Sequence, residues 1–119
     1  LKSLKKTRLE IYVPIKSPGD IDYLHYPDVR SWVEQELAYL HGGQTTLEGS
    51  GLYFHYPTAR LLADNIAIIY SDLDLDLTNR RHRRVFEAYI QGLLNFISNQ
   101  LAAEVETLIA YHPVAHASI

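Results

Sequence analysis

Residues Ile66 to Leu101 read IAIIYSDLDLDLTNRRHRRVFEAYIQGLLNFISNQL, and the change of period inside this stretch decides the fold. The Ile66-Ala67-Ile68-Ile69-Tyr70 run belongs to a strand over 61–73, covered on at least one side. From about Thr78 the apolar positions move to helical spacing. Phe86, Ile90, Leu93, Leu94, Ile97 and Leu101 form one stripe, which Val85, Tyr89 and Phe96 widen. This predicts a helix over 78–101, the longest element. The stripe exceeds what one sheet face needs, so part of it is expected to meet a second subunit. Gly92 sits mid-helix at about 1 kcal/mol relative to alanine, tolerable where another backbone approaches.

Upstream, Leu9, Ile11, Val13 and Ile15 alternate with Glu10, Tyr12 and Pro14, the period of a half-buried strand. Residues 1–8 carry no pattern and are expected to be flexible. Lys16 to Pro27 reads as a loop. Val29, Trp32, Val33, Leu37 and Leu40 mark a helix that opens near Asp28 and stops at Gly42-Gly43. Thr45 to Tyr56 is a strand loosened by Gly49 and Gly51, and Pro57 to Arg60 turns. Glu104 to His112 forms a last strand ended by Pro113, with 114–119 as a tail.

The order is β-α-β-β-α-β. Right-handed crossovers then place both helices on one face of a four-stranded antiparallel sheet, the ferredoxin-like α+β arrangement, as a single domain over 9–113. The other sheet face is left bare, and a homodimer or higher homo-oligomer is expected to cover it. Trp32, Gly42-Gly43-x-Thr45, the Gly51-x-Tyr53 strand and the strand after the long helix resemble small bacterial ferredoxin-like families of uncharacterised function. That resemblance implies the fold and no chemistry.

Composition narrows the classes. The 119 residues are 47% hydrophobic and 21% charged, the balance of a globular domain, and they contain no cysteine. Eleven Lys/Arg against fourteen Asp/Glu give a net charge of −3, so nucleic acid is not an expected partner. No apolar run reaches membrane-spanning length, and no signal-like apolar segment follows Lys2, Lys5 and Lys6. No membrane partner is expected, and a cytoplasmic location is.

Arg80-Arg81-His82-Arg83-Arg84 is the strongest local anomaly, because a helix start disfavours cations. Read functionally, Arg80, Arg84 and Arg81 form an anion site for phosphate or carboxylate. The preferred reading is neutralisation by Asp72, Asp74 and Asp76. An EF-hand starting at Asp72 fails, since Leu77 and Arg83 stand where glycine and glutamate are required. His25-Tyr26-Pro27, His55-Tyr56-Pro57 and Tyr111-His112-Pro113 place histidine and tyrosine at element ends. His112-x₃-His116 has helical spacing, but Pro113 argues against a helix, and no metal site or cofactor is expected.

Alternation turns Tyr12 to the uncovered face, pairs His112 with Ala110, and puts Tyr53 and His55 on one face. Such a surface reads as a subunit interface, with a cleft wall as the alternative. No phosphate-loop, dinucleotide-binding or nucleophile-elbow motif is present. An RNA-recognition module shares the element order, but its third-strand aromatic pattern is missing from 65–70. With no complete catalytic constellation, the leading expectation is a ligand-binding or regulatory module without catalysis. The alternative is a small oligomeric enzyme using His25, His55 or His112 as general acid or base.

Overall fold

The computed structural model describes residues 2–16, 26–100 and 108–118. Its elements are β1 (Lys2–Lys16), α1 (Tyr26–His41), β2 (Thr45–His55), β3 (Arg60–Leu73), α2 (Arg80–Gln100) and β4 (Leu108–Ser118). The four strands form one antiparallel sheet in the order β2-β3-β1-β4. The fold is therefore α+β, a four-stranded antiparallel sheet with two helices. No helix among the described residues is long and apolar enough to cross a membrane.

Period-two alternation turns Leu9, Ile11 and Val13 of β1, with Ile69 and Leu73 of β3, into one core. Val29, Val33 and Leu37 of α1 and Phe86, Leu93 and Ile97 of α2 pack onto the same cluster, so both helices lie on one face. Trp32 stacks on Phe96 with ring centroids 3.8 Å apart, tying the helices to each other. Leu40 and Val85 are exposed, so the apolar stripes of the two helices are narrower than their sequences suggest. Gly42 closes α1 at a φ of 80°, the left-handed conformation glycine accepts, while its N–H donates to Ala38 O at 3.1 Å.

Several boundaries differ from the sequence reading. Residues 2–8, expected to be flexible, are paired: the β1–β4 register runs unbroken from Lys2↔Ser118 to Tyr12↔Leu108. The expected tail over 114–118 is likewise strand, and β4 passes through Pro113 instead of ending there. The reason is position, since β4 is an edge strand, where a missing N–H can face outward. The expected start of that strand at Glu104, like Leu101, lies outside the described residues. Pro14 marks a shift of the β1–β3 register between Pro14 and Lys16 and not the end of the strand. Around Gly92 nothing among the described residues lies within 4 Å of where a Cβ would stand, so none of their backbone approaches there.

The sheet is four-stranded only in its middle. Residues 2–6 of β1 pair with β4 alone, and residues 60–64 of β3 pair with β2 alone. Two-stranded ribbons thus overhang at opposite ends of a molecule measuring 51 × 26 × 23 Å.

Candidate functional site

Alternation leaves Arg8, Glu10 and Tyr12 on the sheet face away from the helices. Register places Arg8 between Asp72 and His112, and Glu10 between Tyr70 and Ala110. Two linked clusters result. In the first, Arg8 grips Asp72 bidentately, Nε to Oδ1 at 2.7 Å and Nη2 to Oδ2 at 2.9 Å. His116 Nε2 reaches the same Oδ2 at 2.6 Å. The Arg8 guanidinium, with the His116 imidazole after it, pushes the Asp72 carboxyl down to about 2. The same pairing raises Arg8, whose Cζ lies 4.5 Å above the Tyr70 ring centroid.

In the second cluster Glu10 is held from two sides. Tyr12 Oη donates to Oε2 at 2.9 Å, which raises the phenol, and His112 Nε2 lies 3.1 Å from Oε1. His112 Nδ1 is 3.2 Å from Pro113 O. A ring between two acceptors donates to both when protonated and to one as neutral imidazole. The carboxylates are sheltered, with 13% of the Asp72 side chain and 21% of Glu10 exposed. The imidazoles remain reachable, at 48% for His112 and 41% for His116. Sheltered carboxylates orienting accessible imidazoles is the arrangement that proton transfer requires.

His112 is the one histidine of the three candidates whose side chain the structure describes. His25 lies outside the described residues. His55 ends β2 opposite Arg60, and its side chain lies outside them as well. Sequence reasoning passed over Arg8 and Glu10, and it set His116 aside because Pro113 argued against a helix. The usable signal for His116 was strand parity, since 112 and 116 fall on one face of any strand that runs through Pro113.

Arg80, Arg81 and Arg84 lie elsewhere, at the start of α2, where they line a cavity of about 580 Å³ with Asn79, His82 and Val85. The helix starts at Arg80, two residues after the expected Thr78, and is capped by Asn79. Its Oδ1 accepts from Arg81 N at 2.9 Å and His82 N at 3.2 Å. Neutralisation of the arginines by the upstream aspartates does not occur. Asp72 is taken by Arg8 and His116, Asp74 pairs with Lys6 at 2.8 Å, and Asp76 accepts from Thr78 N and Oγ1. His82 Nδ1 accepts from Asp76 N at 3.0 Å, and Arg83 Nε donates to Leu77 O at 3.1 Å. Three guanidinium groups are left at a helix start with no ion pair among the described residues, each disfavoured by about 0.3–1 kcal/mol.

No protein-family model matches the chain, and no curated protein matches it. The resemblance to small bacterial families therefore rests on the α+β fold alone. Among solved structures the chain is similar to a phage SAM lyase in complex with S-methyl-5'-thioadenosine. That match has a TM-score of 0.57 at 11% identity and covers 95% of this chain and 90% of that one. At such identity the likeness is one of fold. It nonetheless corrects the expectation of a module without catalysis, because this structural neighbour is an enzyme.

Proposed function

We propose that this protein is a small oligomeric enzyme of ferredoxin-like fold, with acid–base chemistry centred on Glu10, Tyr12 and His112. The observation that carries the reading is the Tyr12–Glu10–His112 chain on the open sheet face, where one sheltered carboxylate orients both a phenol and an imidazole. The sequence of elements and the strand order β2-β3-β1-β4 support the ferredoxin-like assignment. The exposed apolar side chains Leu47 and Leu108 on that face support coverage by a second subunit, which would complete a cleft.

The SAM lyase neighbour supplies the substrate class to test, a sulfur-bearing adenine nucleoside. In an elimination on the sulfonium form of such a compound, a base takes a proton from the carbon beside the one bound to sulfur, that C–H pair becomes a C=C bond, and the C–S bond breaks with its electron pair going to sulfur. His112, oriented by Glu10, is the base in this scheme, and the Tyr12 hydroxyl is the second proton carrier. The experiment is incubation of the purified protein with SAM and chromatographic measurement of S-methyl-5'-thioadenosine. Product formation is expected, with His112→Ala and Glu10→Gln each lowering the rate by about 10²-fold or more while circular dichroism is unchanged. Unaltered SAM, or variants as active as the parent, would refute the proposal.

A further inference from the structure

We propose that the start of α2 binds a small molecule carrying two or more phosphate groups, gripped by the side chains of Arg80, Arg81 and Arg84. None of these residues belongs to the open sheet face, so the site stands or falls independently of the acid–base reading.

At about 100° per residue, Arg84 projects some 40° from Arg80 and Arg81 some 100°, so the three share one side of the helix. Arg83 stands some 60° from Arg80 on the side away from Arg81, and its side chain folds back onto Leu77 O, lining a different cavity with Lys5 and Pro113. The first turn of α2 holds no acidic residue, and no carboxylate among the described residues lines the cavity of the three arginines. The three aspartates just upstream are engaged with Arg8, Lys6 and Thr78. A chain of net charge −3 thus keeps three guanidinium forks together without a counterion among the described residues.

The class of ligand follows from charge and size. A single carboxylate occupies one fork and leaves two cations facing each other, whereas a diphosphate presents enough charge and oxygens for all three. The space of about 580 Å³ also exceeds what one inorganic ion fills. The amides of Arg81 and His82 already donate to Asn79 Oδ1, so recognition falls to the side chains and not to the helix backbone.

The test is isothermal titration of the full chain with inorganic pyrophosphate at physiological salt. One site per chain is expected. Arg80→Ala/Arg84→Ala weakens it by at least about tenfold, and Arg80→Lys/Arg84→Lys also weakens it, because lysine keeps charge but lacks the fork. Arg83→Ala changes affinity by less than about twofold. All four arginines are exposed, and matching circular dichroism spectra confirm that the variants fold. Absence of pyrophosphate binding overturns the proposal, as does an equal loss in Arg83→Ala, which would mark diffuse charge attraction. Tighter binding of a single-stranded oligonucleotide, lost in the same double variant, overturns the small-molecule assignment in favour of nucleic acid.

Discussion

Replacing Asp72 by asparagine removes the charge that organises half of the open sheet face. Arg8 holds that carboxylate through two bonds of 2.7 and 2.9 Å, and His116 Nε2 approaches it at 2.6 Å. Together they hold the carboxyl at about 2, against an ordinary 3.8. At about 1.36 kcal/mol per pH unit this sets a ceiling of about 2.4 kcal/mol. Arg8 and His116 keep 31% and 41% of their side chains in solvent, and screening brings the expected loss to about 1–1.5 kcal/mol. The sign is fixed by the direction of the shift. A carboxyl titrating lower in the native state contributes its full stabilisation above 3.8, and the contribution is lost as pH falls through about 2. Urea unfolding followed through the single tryptophan, Trp32, reads both quantities. Asp72→Asn is expected to be about 1–1.5 kcal/mol less stable than the parent at pH 7, with less than about half of that gap left at pH 2.5. No gap at pH 7, or an undiminished gap at pH 2.5, would refute the reasoning.

His41, with its Nε2 3.4 Å from Tyr89 Oη and its ring edge-on to that phenol, is held below its ordinary 6.5 by burial. The unfolded chain takes up the proton first, so stability present above pH 6.5 is lost as pH falls below it; urea midpoints at pH 7.5 and 5.5 should differ more in the parent than in His41→Phe. Phe86 is 2% exposed and packs edge-on against Tyr111 at 4.9 Å, so Phe86→Ala should cost about 3–5 kcal/mol in the same unfolding assay.

What could be read ahead of the structure follows the range of the interactions. Leu9-x-Ile11-x-Val13 announces its own alternation, and the α2 stripe announces its helix, because each pattern is set by a local period. Lys2 to Thr7 are polar and patternless, and they become strand only because residues 113–118, more than a hundred positions away, lie alongside them. Pro113 misled for a related reason: whether a missing N–H breaks a strand depends on whether that strand is central or at an edge, which is a property of the whole sheet. The face shared by Tyr12 and His112 follows from parity. The Glu10 that joins them, however, contacts a histidine 102 positions away, a separation that no motif encodes. The arginine run is plain in the sequence. Its apparent partners were not its partners, because Asp72, two residues from Asp74, faces an Arg8 that lies 64 positions upstream.

The stagger of the strands gives the molecule more than one threshold for opening. Where β1 lies between β3 and β4 over the helices, exposing an amide requires breaking the core. In each overhang a strand has one neighbour, and a two-stranded ribbon has little stability of its own. The overhangs are not equivalent. The β2–β3 ribbon leaves Leu52, Phe54 and Leu61 open to solvent, and no ion pair to the rest of the chain ties it down among the described residues. The β1–β4 ribbon is strapped. His116, opposite Leu4 within it, reaches across β1 to Asp72, and Lys6 reaches Asp74. Lifting this end of the sheet consequently breaks the His116–Asp72 and Lys6–Asp74 pairs. Opening of this end is thereby expected to become easier when Asp72 is protonated and loses its hold on His116.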